Sequence, residues 1–331
     1  MPLVKSILAA VLGATAASAV VTTQAWSADD IATQIVDALN AVSGVHPGYR
    51  ANHAKGIVAE GHFKAPPEAA ALTTSPIYAG ADLPVTVRFS DAGGSPQVSD
   101  GSAAANPHGL AIKFRLPDGA ESDIVVNALK FFPVATPEDF RDLQLAVAAS
   151  PPGAPKPTKL ETFIASHPSV PKAVGTLGIP ASFADEQYNG VDAFVFIDKA
   201  GHKQAFRYII APEHVVHLTG AEAATKSPNY LVDDLPKRLA AGPVTFHIKA
   251  QLAAAGDPTS DATKPWPDDR KVVDLGVLTV EKVVADSAAA QKMLLFLPGN
   301  VTDGIEPSDD PLIAARDAAY AVSFGRRSNS Q

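Results

Sequence analysis

Arg316 and Tyr320 stand four residues apart in RDAAY, close to the C-terminus. On a helix that spacing puts both side chains on one face. A guanidinium held against a phenol favours the phenolate, drawing a group that ordinarily titrates near 10 down by about 1–3 pH units. An arginine-backed tyrosinate is a good anionic ligand for ferric iron. The same spacing also suits a surface pair whose ring packs inward, and the two residues alone do not decide. His53, in RANHAKG, poses a parallel choice between a structural imidazole and one placed to handle a proton.

The composition narrows what chemistry is available. The chain has 331 residues and no cysteine, which excludes a thiol nucleophile, an iron–sulfur cluster and any thiolate-bound metal. Met1 and Met293 are the two thioethers, so a redox metal would rely on His, Tyr or carboxylate ligands. With 46% hydrophobic and 19% charged residues the chain can bury a large core, and a net charge of −8 without a basic stripe argues against a nucleic-acid partner. Residues 1–27 read as a secretory signal peptide: Lys5, then an alanine-rich apolar run from Ile7 to Val21, then small-residue exits at Ala17-Ser18-Ala19 and Ala25-Trp26-Ser27. An uncleaved anchor is the alternative. The expectation is a periplasmic protein whose mature part, 28–331, is one domain.

The elements that must carry these residues are mostly strands. GIVAEGHFKA, PVTVRFS, GLAIKFRL, SDIVVNAL, AFVFIDKAG, KQAFRYIIA, PVTFHIKAQLA and VVDLGVLTVEKVV are rich in Val, Ile, Phe and Thr, and several alternate apolar with polar. Eight such stretches predict an α+β fold built on an antiparallel eight-stranded β-barrel, since closure removes exposed edges. Helices are expected over Asp29 to Ala41, after Thr136 as N-cap, over 229–242 with an interruption at Pro236, and from Ser308 or Pro311 toward Phe324.

RANHAKG, PVTVRFS, DIVVNALKFF, DATKPWPDD, DGIEPS and R-x-x-x-Y occur in this order between about residues 45 and 327. Together they resemble the haem catalase family, specifically its short catalase-related peroxidase branch. The resemblance implies a catalase-type barrel with surrounding helices that binds haem b. It implies Tyr320 as the iron ligand with Arg316 beneath it, and His53 as the distal histidine oriented by Ser90. Asn127 matches the distal asparagine, and Arg50, Arg88 and Arg327 match the arginines that pair with the propionates.

The chain also departs from the large members of that family. It stops four residues after Arg327, which implies a monomer or dimer. The stretch Ala135-Thr136-Pro137 offers no ring to stack on the haem, Ala92 stands where a channel valine is expected, and Phe324 replaces a histidine four after the tyrosine. These changes imply an open pocket and at most weak catalase activity. The expected reaction is reduction of hydrogen peroxide or a small organic hydroperoxide by an unidentified electron donor. A non-catalytic haem-binding protein and a hydroperoxide-rearranging enzyme on the same fold are the alternatives. EHVVH at 213–217 lacks the H-E-x-x-H order of a zinc protease, His108 reads as a turn residue, and His62 and His247 read as barrel positions.

Overall fold

A computed structural model describes residues 28–329; the expected leader, 1–27, lies outside the described residues. Helix α1 (Ala28–Ser43) leads into four strands: β1 (Gly56–Lys64), β2 (Asp82–Ser90), β3 (Gly109–Arg115) and β4 (Glu121–Asn127). Three helices follow, α2 (Pro137–Ala148), α3 (Lys159–Ser166) and α4 (Ser169–Val174), then the short strands β5 (Ile179–Pro180) and β6 (Tyr188–Asn189). Next come β7 (Phe194–Ile197), β8 (Lys203–Pro212), β9 (His217–Leu218), α5 (Gly220–Ala224) and α6 (Tyr230–Ala241). The last elements are β10 (Val244–Leu252), β11 (Val272–Val283), α7 (Ser287–Met293), β12 (Ile305–Pro307) and α8 (Pro311–Ser328).

The barrel closes as expected, in the order β10-β11-β1-β2-β3-β4-β6-β8 and back to β10, every pairing in the ring antiparallel. One detail differs from the strand reading. The stretch AFVFIDKAG forms β7, which pairs with β8 and β12, while the ring is completed by the two-residue β6. β6 and β7 follow one course along β8, parted at residues 190–193, and Asp192 sits in that gap.

Alternate residues point into the barrel, where Phe63, Phe89, Phe114, Phe196, Phe206 and Phe246 are fully buried. Phe196 and Phe206 stack with ring centroids 3.6 Å apart, and Phe63 meets Phe114 edge-on at 5.3 Å. The interior is therefore a packed core, and any cavity for chemistry must lie outside its wall.

The helices supply that outer layer. Thr136 caps α2 as expected, accepting from Asp139 N–H at 3.1 Å. For α8 the cap is Asp310 rather than Ser308: its Oδ1 accepts from Leu312 N–H at 3.0 Å, directly ahead of Pro311, while Ser308 donates to Thr259 O. Pro236 does not end α6, which runs on to Ala241. Leu231, Leu235 and Leu239 recur every four residues on its buried face, and burying each contributes about 1.5–3 kcal/mol. That outweighs the roughly 3 kcal/mol a proline costs inside a helix. A small cluster of Ile31, Ala32, Ile35 and Val36 with Ala319, against Phe140, fixes α1 to α8 and α2. It holds the turn that carries Tyr320. Among the described residues no helix is long and apolar enough to cross a membrane.

Candidate functional site

The outer face of β2, β3 and β4 is set by strand alternation. Val87 and Phe89 point inward, so Arg88 and Ser90 point outward; the same parity turns out Gly109 and Ala111, and Val125 and Asn127. The register aligns Gly56, Ser90, Gly109 and Asn127 in one row across four strands, and Arg88, Ala111 and Val125 in the next. The helical layer covers this face but leaves a cavity of about 900 Å³ between them. All eight residues singled out in the sequence line it: Arg50, His53, Arg88, Ser90, Asn127, Arg316, Tyr320 and Arg327. A hollow of that size suits a large flat ligand.

His53 is the one described non-glycine residue with a positive φ, at 53°. Left-handed backbone in a side-chain-bearing residue costs free energy and persists where neighbours hold it. Here Arg88 Nη2 donates to His53 O at 2.7 Å. The imidazole Nδ1 lies 3.1 Å from Ser90 Oγ, which leaves Nε2 as the ring's second nitrogen. A Cβ on Gly109 would stand 2.9 Å from His53 Cε1, so the bare glycine is what admits the ring. Burial first, and then the Arg88 guanidinium, draw the His53 pKa down to about 3, which keeps the ring neutral and able to accept a proton. Asn127 Oδ1 accepts from Leu129 N–H at 2.9 Å, so its amide N–H groups are the donors left for a ligand.

At the other wall, α8 turns Arg316 and Tyr320 to the same cavity. Arg316 Nε donates to Tyr320 Oη at 3.3 Å, and its Nη1 contacts Asp192. Burial alone would lower the Arg316 pKa; Asp192 and Tyr320 overcome this and hold it above its ordinary value. Asp192 is buried, and Asp310, pushed up to about 7 by burial and by Asp192, stands nearby in the same charge network. Sequence reading did not single out Asp192; it lies on the short break between two strands, a position with no motif of its own.

Arg50, Arg88 and Arg327 converge at one end of the cavity. Arg50 donates to Gln291 O at 3.0 Å and Leu294 O at 2.7 Å; Arg327 donates to Lys292 O at 3.2 Å and to Leu294 O. These are carbonyls left over at the C-terminal end of α7, where cations are favoured. Arg88 Nε donates to Gln291 Oε1 at 2.9 Å. The hydrogen-bond acceptors of these three guanidiniums among the described residues are carbonyl oxygens, not carboxylates. Burial, then their mutual repulsion, lowers Arg50, brings Arg88 down to about 9, and burial brings Arg327 to about 10. Three clustered guanidiniums whose hydrogen bonds go to carbonyls suit a ligand that carries carboxylates. α7, which supplies the carbonyls and Gln291, reads in sequence as a plain SAAAQKM stretch and was not expected.

The remainder of the lining is apolar. Phe140, Leu143 and Val147 of α2, Leu160 and Ile164 of α3, and Val170 and Val174 of α4 form an apolar gallery on its helical side. The stretch 135–137 supplies no ring, but Phe132 and Phe140 on either side of it do, with centroids 5.6 Å apart. Ala92 lines the cavity, and Phe324 packs under Arg327, 4.8 Å from its guanidinium carbon. An apolar slot with a tyrosine and a histidine in its walls and a cationic end fits a dicarboxylate porphyrin.

Other histidines find partners elsewhere. His108 stands directly before β3 and is fully buried: its Nε2 lies 3.4 Å from Asp91 Oδ1 and 3.3 Å from Asp100 O. Lys55 bridges the same group, contacting Asp100 and standing 3.9 Å from Asp91. Both carboxylate oxygens of Asp91 are otherwise unpartnered, and burial pushes its pKa well above the usual carboxylate range. His217 is held by Glu186 at 3.1 Å, His62 faces Glu281 and His247 faces Asp274.

Known proteins share this sequence pattern and fold. A family model described as catalase matches residues 33–329. A catalase-related peroxidase of Mycolicibacterium paratuberculosis is 36% identical over 89% of this chain and 94% of its own. One of Synechococcus elongatus is 33% identical over 97% of this chain and 96% of its own. A bacterial catalase of solved structure superposes with a TM-score of 0.75 at 23% identity, over 84% of this chain and 57% of that longer chain. Barrel, cavity and relatives agree: the chain belongs to the catalase family, on its short catalase-related branch.

Proposed function

We propose that the protein is an exported haem b peroxidase that reduces hydrogen peroxide or a small organic hydroperoxide with an external electron donor, and dismutates peroxide weakly at most. The carrying observation is the convergence of three arginines, hydrogen-bonded to carbonyls rather than carboxylates, on a cavity that His53 and Tyr320 also line. Arg50, Arg88 and Arg327 would hold the two propionates, and Tyr320, backed by Arg316 and Asp192, would ligate the iron. Bound haem supplies the redox centre at which the peroxide O–O bond is broken. The rest belongs to the chain. His53 Nε2 takes the peroxide proton and returns it to the leaving oxygen, Ser90 Oγ fixes the ring through Nδ1, and the Asn127 amide holds the substrate by hydrogen bonding. The catalase-related names of the two relatives support this reading, and the apolar gallery is compatible with an organic as well as an inorganic peroxide. Export through residues 1–27, a single domain over 28–331, and a monomeric or dimeric state complete the proposal.

The test is reconstitution with hemin followed by peroxide kinetics. A Soret band should form, and His53→Gln should keep that band while slowing peroxide consumption about 10²–10⁴-fold. An unchanged rate would show that His53 does not carry the reaction, and native protein no faster than free hemin would leave a non-catalytic haem-binding protein. Hydroperoxide loss that needs no reductant would point to a rearranging enzyme.

A further inference from the structure

The arginines at the end of the cavity converge on one turn of α7, and a single residue there meets two of them. Gln291 accepts from Arg88 Nε through its side-chain Oε1 at 2.9 Å, and from Arg50 Nη1 through its main-chain oxygen at 3.0 Å. Its Nε2 donates to Gly56 O on β1 at 2.9 Å and to Ser287 Oγ at 3.3 Å. Ser287 Oγ in turn accepts from Val58 N–H at 2.9 Å, so α7, which buries none of its own residues, is tied to β1 by polar bonds. The fit is close: a Cβ on Gly56 would stand 2.6 Å from Arg88 Nη2. Gln291 itself lies behind the cavity wall and does not line it.

A carboxamide satisfies Arg88 and Gly56 at once, since it accepts at one atom and donates at the other. It also brings no charge. A glutamate of the same length would accept from Arg88 but set an oxygen against Gly56 O, and its charge would occupy the guanidinium from within the protein. Arg88 Nη2 is taken by His53 O and Ala54 O, and its Nη1 makes no hydrogen bond among the described residues. The Asp91 carboxyl acts on Arg88 only at a distance, without a hydrogen bond. We propose that Gln291 sets the charge selectivity of the arginine end: it aims Arg88 with a neutral bond and so reserves that guanidinium for a carboxylate of the ligand. Gln291 is thus a positioning residue that acts through Arg88. Its assignment rests on the haem reading of the cavity and adds what makes that end select an anion.

The test is Soret titration of native protein, Gln291→Glu and Gln291→Met with hemin and with hemin dimethyl ester, with urea unfolding of each ligand-free protein as the check on folding. Gln291→Glu should weaken hemin binding about tenfold and leave the ester within about twofold, so that the preference for the free acid largely disappears. Gln291→Met removes the bond to Arg88 without adding charge, and should cut the preference only about threefold. Neither variant removes the bond from Arg50, because that bond ends on the main chain. A merely structural role would weaken both porphyrins in parallel. That result would overturn the assignment, as would equal effects of the two substitutions. Should Gln291→Glu fail to fold, Gln291→Met decides, and an unchanged preference there refutes the role. Native protein that binds neither porphyrin would overturn the haem reading and this assignment with it. Native protein that prefers hemin, with the preference intact in Gln291→Glu, would overturn the role of Gln291 alone.

Discussion

Gly109 is the residue through which the proposed role of His53 can be tested most sharply. Gly109→Ala places a methyl carbon 2.9 Å from His53 Cε1, 3.0 Å from Nδ1 and 3.1 Å from Ser90 Oγ. Carbon atoms in ordinary contact sit at about 3.5–4.0 Å, so the ring must withdraw by roughly 0.5–1 Å. The His53 backbone cannot readily follow, because it is already left-handed and tied to Arg88 through its carbonyl. The ring therefore swings, and its 3.1 Å bond to Ser90 stretches past the useful range. Overpacking of this kind costs about 1–3 kcal/mol, a fall of a few degrees in Tm. The catalytic loss should be larger, because a misplacement near 1 Å costs about 10²-fold in rate. The assay is kcat/KM for peroxide in protein that retains its Soret band, measured for Gly109→Ala, Ser90→Ala and the double variant. If the alanine acts by unseating His53 from Ser90, the double variant should be little worse than Gly109→Ala alone. Two fully additive losses, or a Gly109→Ala enzyme of normal rate, would refute the mechanism.

Three further outcomes follow from the same geometry. If the arginine trio is built for propionates, the protein should bind hemin about 10–100-fold more tightly than hemin dimethyl ester, and Arg327→Leu should reduce that preference in Soret titrations. Burial, then the neighbouring Asp100, raises the Asp91 pKa in the fold, whereas the unfolded carboxyl is ionised above about pH 4, so folding favours the protonated form and stability falls as pH rises from there. Between pH 5 and 8, urea unfolding of the native chain should therefore lose up to about 1.4 kcal/mol per pH unit relative to Asp91→Asn; parallel pH profiles would contradict this. Asp192→Asn leaves Arg316 buried without its carboxylate, which should cost about 3–5 kcal/mol in denaturant unfolding and weaken hemin binding; a loss below 1 kcal/mol would show that Asp192 does not anchor Arg316.

What could be read in the sequence was whatever is encoded locally. Composition and alternation marked PVTVRFS as a strand, and the i,i+4 spacing of Arg316 and Tyr320 put them on one helix face, because both depend on a handful of adjacent residues; Arg88 and Ser90 themselves were singled out by the family resemblance. The partners that complete the site are not local. Asp192 reaches Arg316 across 124 positions, and Gln291 reaches Arg50 across 241. Neither has a spacing that marks it, and a carbonyl at the end of a short helix has no side-chain signature at all. Proline gave a different kind of failure. At Pro236 a local rule predicted an interruption, and the burial of three leucines overrode it.

The division of labour between barrel and helices explains why the chemistry sits where it does. Closure of the sheet locks register, and a row of residues across β2, β3 and β4 cannot slip without turning its whole inner face outward. Ser90, Gly109 and Asn127 occupy one such row, so the spacing between the hydroxyl that meets His53 and the Asn127 amide is fixed by the Phe-rich core behind them. The cationic end is held differently. Arg50 and Arg327 are gripped by carbonyls from a single exposed turn of α7, and they repel one another in a buried setting. On the proposed reading, carboxylates would stabilise that end, whereas the wall is held by the sheet itself. The wall that carries His53 and Ser90 is thus preorganised by the fold, and the arginine end is the part whose proposed ligand would complete it.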